Sequence, residues 1–99
     1  MSTDKKFIYV IEEVETGKIK IGRSKNPESR LKQLKTGNPN TLRVAMKKER
    51  AHSTKFETWL HRQFDRNRVD GEWFEGITPE EVSSKLMGCI LWDWDVDEY

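Results

Sequence analysis

The sequence has a single cysteine, Cys89, so no disulfide can form within the chain. No secretory leader is recognisable either, and the two absences together point to a reducing, cytoplasmic setting rather than to a stapled secreted module. Long hydrophobic runs are missing as well. The longest, around Cys89-Ile90-Leu91-Trp92, falls far short of the ~20 apolar residues a membrane-spanning helix needs, so no membrane is expected among the partners. There is no glycine-rich phosphate loop. The softer metal ligands are only His52, His61 and Cys89, without the paired spacing of a zinc centre, and no histidine pattern accompanies Cys89 to make it a nucleophile.

What is present is charge. Only 34% of the 99 residues are hydrophobic and 35% are charged, which predicts one domain with a thin core under a well-solvated surface. The net charge of +1 conceals a split: residues 1–70 carry 17 Lys/Arg against 9 Asp/Glu, and residues 71–99 carry 1 Lys against 8 acids. A basic body attracts polyanions by counterion release, and an acidic end repels or competes with them. Charge alone is equally compatible with ordinary solvated helices and loops.

Phe7 to Val14 is rich in β-branched and aromatic residues, Lys18 to Gly22 alternates, and Thr16-Gly17 between them is a turn signal, which together predict a β-hairpin. Burying Ile8, Val10 and Val14 together with Ile19 and Ile21 requires even positions to pair with odd ones, as a two-residue loop at Thr16-Gly17 allows. That register puts Tyr9 and Lys20 on the opposite face. Phe7, Tyr9 and Ile11 are apolar too, so the first strand is expected to be central and covered on both sides. Asn26-Pro27-Glu28 starts a helix with a capping side chain, a proline and an acid in order, and Gly37 stops it beyond Leu31 and Leu34. Thr41 to Lys47 alternates as a third strand. Ser53 to Arg66 is a second helix with Phe56, Trp59, Leu60 and Phe64 on one stripe. Thr78-Pro79-Glu80-Glu81 is a capping box that opens a third helix, expected to end at Gly88.

In this order the residues resemble the GIY-YIG nuclease superfamily. Its opening strings appear as Phe7-Ile8-Tyr9 and Lys20-Ile21-Gly22, and the stretch from Lys20 to Arg30 resembles the second motif running into the arginine helix. Lysine in place of the second tyrosine is similar to a short, phage-type branch, as are Thr36-Gly37-Asn38-Pro39, the Glu57/His61 pair and Gly71-Glu72-Trp73-Phe74. The resemblance covers about residues 7 to 76. It implies a small three-stranded antiparallel sheet flanked by helices, an α+β fold, and a divalent-metal-dependent endonuclease acting on DNA with Mg²⁺ or Mn²⁺. In a phage-encoded protein the setting would be the host cytoplasm.

By the resemblance Tyr9 is the general base or proton relay that activates water, and a phenol of pKa ~10 needs a neighbouring cation for that. Lys20, on the same face, either lowers that pKa or holds a phosphate oxygen. Arg30 matches the arginine that stabilises charge on the pentacoordinate phosphorus. Read structurally, Tyr9 is a core tyrosine, Lys20 a solvated strand lysine and Arg30 a surface arginine. Glu57 lies ~20° from Phe64 around the helix, so it borders the buried stripe and is the expected metal ligand. His61, one turn on, either orients that carboxylate or contacts phosphate, or makes an ordinary i,i+4 contact. Arg23, with Lys25, Lys32 and Lys35, is expected to contact the nucleic-acid backbone. Glu72, Trp73 and Phe74 are expected to close the core, with Trp73 near the site.

Residues 92–99 alternate Trp and Asp, so in extended form Trp92, Trp94 and Val96 share one side. This end is expected either to pack as an edge strand, to dock on a protein partner, to shield the basic face or to serve as an acidic solubilising end over the core. Two other functions remain open beside the nuclease: a non-catalytic nucleic-acid-binding module, and an interaction protein on a nuclease scaffold.

Overall fold

A computed structural model describes the backbone of residues 5–91 and the side chains through Gly88. The Trp/Asp end and the side chain of Cys89 lie outside the described residues. Chain order is β1 (Lys6–Glu13), β2 (Ile19–Ser24), α1 (Pro27–Lys35), β3 (Leu42–Arg50), α2 (Ser53–Gln63), a short 3₁₀ turn (Asp65–Asn67), β4 (Arg68–Asp70), β5 (Trp73–Phe74) and α3 (Pro79–Leu91). Among the described residues no helix is long and apolar enough to cross a membrane.

The architecture is α+β, with an antiparallel sheet of five strands in the order β3-β1-β2-β5-β4 rather than the three expected. The two extra strands are a short hairpin around Gly71, whose φ of +53° suits glycine. With three and two residues they are too short for alternation to register as a strand pattern. The main hairpin has the expected parity, Tyr9 facing Gly22 and Val10 facing Ile21, but its turn comes earlier. Glu13 N–H bonds to Lys18 C=O and Gly17 N–H to Glu13 C=O, so Val14 leaves the strand and is 49% exposed. Side chains hold this loop in place of a two-residue turn. The Thr16 hydroxyl donates to Glu13 (2.6 Å), the Thr41 amide and hydroxyl donate to Glu15 (2.8 and 2.7 Å), and Asn38 reaches Glu13 at 3.4 Å. The Thr36–Pro39 stretch therefore clips the turn end of the sheet.

Strand β1 is central, as its doubly apolar pattern predicts. On one face Ile8, Val10, Ile19 and Ile21 pack with Leu60 of α2, Phe74, Ile77 and Val82 and Leu86 of α3, all buried, and Phe56, Trp59 and Phe64 close the edge of that cluster. On the other face Tyr9, Ile11 and Leu42 form a smaller cluster under Leu31 and Leu34 of α1, with Val44 and Trp73. The two faces can both be apolar because β3 shifts register between Val10 and Ile11, which turns Val44 to one side and Met46 to the other. The Asn26 side chain caps α1 by accepting from Ser29 N–H, and the box at α3 closes reciprocally between Thr78 and Glu81 at 3.1 Å. Helix α2 ends at Gln63, short of Arg66, and α3 runs through Gly88 to Leu91 instead of stopping there. A glycine in a helix interior costs only ~1 kcal/mol, which Val82 and Leu86 offset by burial.

Candidate active site

Strand β5 pairs with β2 only at Ile19 and Lys20, with one further bond from Ile21 N–H to Glu72 C=O. Past that point no strand of the described residues pairs with β2 on this side, and Gly22 sits there without a side chain. A Cβ on Gly22 would lie 2.6 Å from the Tyr9 hydroxyl oxygen, 2.7 Å from Tyr9 Cζ and 3.2 Å from Glu72 Oε1. The glycine is thus needed for room. It lets the phenol, projecting from the α1 face, cross the backbone toward the open edge, where α2 brings Glu57 from the opposite face.

Tyr9, Arg30, Glu57 and Glu72 line one concave pocket of about 290 Å³, together with Arg23 and Lys6. Lys20, 7% exposed, is not among its lining residues but gives its ammonium to Glu72 Oε1 at 2.8 Å, with the Trp73 ring centre 5.9 Å away. Arg23 Nε stands 3.6 Å from Glu57 Oε1. His61 turns from α2 toward β2. Its Nε2 lies 2.8 Å from the Ile21 carbonyl oxygen, and its ring packs against Phe74 with centres 5.4 Å apart. A carbonyl only accepts, so the proton of the neutral ring sits on Nε2.

Burial pushes the Tyr9 phenol above its ordinary 10.0; the hydrogen bond and charge of Arg30 pull it down, and the charges of Glu72 and Glu57 add to the rise. Two expectations change here. The cation acting on the phenol is Arg30, because Lys20 is committed to Glu72. The balance also favours the neutral phenol, since removal from water outweighs the one guanidinium.

Of the residues named from sequence, Tyr9, Arg30, Glu57 and Arg23 meet in this pocket, Lys20 pairs with its lining residue Glu72, and His61 joins Glu57 and Glu72 in a group whose ligand atoms all lie within 4.8 Å of one another. Lys25, Lys32 and Lys35 are exposed on or beside α1 and do not line the pocket. Phe74 is in the core as expected, and Trp73 packs beside Tyr9. Glu72 is different: it faces the pocket with its side chain 40% exposed, where the sequence suggested core closure. Its signal was available, an acid between a turn glycine and two aromatics, since a carboxylate does not close a core without a partner. Lys6 carries no comparable signal.

A larger groove of about 460 Å³ is lined by Phe64, Glu80, Glu81, Ser84 and Lys85, with one cation against the three of the smaller pocket. No curated protein and no solved structure matches the chain. One family does match, over residues 6–90, with a domain found in phage and homing-endonuclease-like proteins and related to GIY-YIG-like nucleases. On that match across most of its length, the chain belongs to the T5orf172 domain family.

Proposed function

We propose that this domain is a divalent-metal-dependent phosphodiesterase of GIY-YIG type that cleaves DNA. The observation that carries the reading is the meeting of Tyr9, Arg30 and Glu57, from three separate elements, in one pocket of mixed charge. Its carboxylates suit a hard cation and its guanidinium and amine groups suit a phosphate, and a phosphodiester with its counter-ion needs both.

In this reading Glu57 holds Mg²⁺ or Mn²⁺, with Glu72 and His61 beside it, and the donor set fits such an ion. The bound ion would supply charge neutralisation and polarisation of the phosphoryl oxygen. The rest falls to the chain itself. The neutral Tyr9 phenol orients the attacking water through an oxygen lone pair; as the new P–O bond forms it takes the water's proton and passes its own O–H proton to solvent, and the leaving sugar oxygen departs and is protonated by water. Arg30 faces both the phenol and the pocket, so it stabilises the charge that gathers on phosphorus oxygens. Lys20 keeps Glu72 in place and does not itself contact substrate. Arg23, Lys25, Lys32 and Lys35 track the backbone of the nucleic acid.

The test is plasmid nicking by the full chain with Mg²⁺ or Mn²⁺, compared with Glu57→Ala. Nicking that needs the metal and disappears in the variant supports the enzyme. A second reading, a non-catalytic nucleic-acid-binding module, is favoured by one observation: the lysine in the second motif is spent on Glu72. Salt-sensitive DNA binding without nicking would establish that reading. If both fail and a protein partner is recovered instead, the scaffold serves protein interaction.

A further inference from the structure

We propose that Glu57, His61 and Glu72 form a three-ligand site with one nitrogen and two oxygen donors, which takes a first-row transition cation such as Mn²⁺ or Co²⁺ in preference to Mg²⁺. The proposal rests on the reading of this pocket as a metal site but does not depend on cleavage. The three ligand atoms lie within 4.8 Å of one another. Two donors on one ion with bonds of ~2.1 Å stand no more than ~4.2 Å apart, so a modest rotation of the two glutamate side chains closes the set.

A second observation points the same way. The His61 ring is held by the Ile21 carbonyl, 2.8 Å from Nε2, and by the Phe74 ring. Metal-binding histidines are held in this manner: a carbonyl on one nitrogen fixes the tautomer and leaves the lone pair on the other. In the neutral ring that lone pair is on Nδ1.

The neighbouring cations do not close the site. Lys20 occupies Glu72 Oε1 and Arg23 approaches Glu57 Oε1, but a carboxylate has lone pairs enough for a basic side chain and a cation together. Lys20 and Arg23 instead hold the two carboxylates in place. The nitrogen decides the choice of ion. Mg²⁺ prefers oxygen ligands and retains its waters, whereas imidazole adds affinity for Mn²⁺, Co²⁺ and later ions in rising order. His61 thus separates this site from a carboxylate-only one.

The experiment titrates the full chain with Co²⁺ alone and with Mg²⁺ alone by calorimetry, and records the paramagnetic proton spectrum of the Co²⁺ form. One Co²⁺ per chain is expected, bound about tenfold or more tightly than Mg²⁺. A hyperfine-shifted ring N–H that disappears in D₂O is expected too. In His61→Ala that signal vanishes and Co²⁺ affinity drops about tenfold, while Mg²⁺ affinity stays within roughly twofold. Glu72→Gln weakens both ions. Absence of the shifted signal from the wild type overturns the proposal whether or not a variant folds. So does Co²⁺ affinity unchanged in a folded His61→Ala. Co²⁺ binding of the expected kind without nicking sinks the phosphodiesterase reading alone; Mg²⁺-dependent nicking without Co²⁺ preference sinks this proposal alone.

Discussion

The two faces of the sheet are made from alternate residues of the same strands and have been put to different uses. The face under α2 and α3 takes Ile8, Val10, Ile19, Ile21, Leu60, Phe74, Val82 and Leu86 out of water completely. The face under α1 buries Tyr9, Ile11 and Leu42, but it also carries Lys20, and α1 itself has only Pro27 fully buried. A domain of this size has little apolar material to spend. Concentrating it on one face leaves the other able to hold a buried phenol and a buried lysine. The pocket lined by Tyr9, Arg30, Glu57 and Glu72 opens near Gly22, where that second face has less cover.

That contrast can be broken by substitution. Leu60→Ala, in the dry cluster, is expected to destabilise the fold by ~2–5 kcal/mol, read by chemical denaturation; a smaller loss would mean the core is not centred there. Arg30→Ala, on the exposed side of α1, is expected to leave stability within ~0.5 kcal/mol and to slow metal-dependent nicking ~10²-fold. Equal loss of both would erase the division of labour between the faces. Gly22→Ala drives a methyl group into the Tyr9 ring and is expected to cost ~1–3 kcal/mol. Tyr9→Ala in the same chain should recover part of that, and a double-mutant cycle measures the coupling.

The smallest effect lies at alkaline pH. The Tyr9 pKa is raised in the folded protein, so the native state holds that proton more tightly than the unfolded one. The associated stability is fully present below the unfolded value of ~10 and is lost as pH rises through the higher folded value. Phenolate absorbance should show a group titrating above the ordinary range, and Tyr9→Phe should flatten the alkaline fall in stability. A Tyr9 that titrates at or below 10.0 would mean that Arg30, not burial, governs the phenol.

Legibility in the sequence followed the range of the interactions. The hairpin parity, the Asn26 cap and the Thr78/Glu81 box depend on neighbours a few positions apart and could be read directly. The β4–β5 hairpin could not, because strands so short carry no periodic pattern. Glu57 was legible as a polar position beside an apolar stripe, and in the structure it lines the pocket. Glu72 was obscured by its aromatic neighbours, and Lys20 was assigned to Tyr9 because the two share a face.

By itself the amino-acid order determined most of the buried set, where helices begin and which side chains share a strand face, because periodicity and capping act over single turns and pleats. Only the tertiary structure decided who meets whom. Lys20 finds Glu72 across 52 positions, and His61 finds the Ile21 carbonyl across 40. Those meetings are set by where β5 stops along β2 and by how α2 lies against the sheet. Contacts of that kind depend on the packing of whole elements, and no local run of residues encodes them.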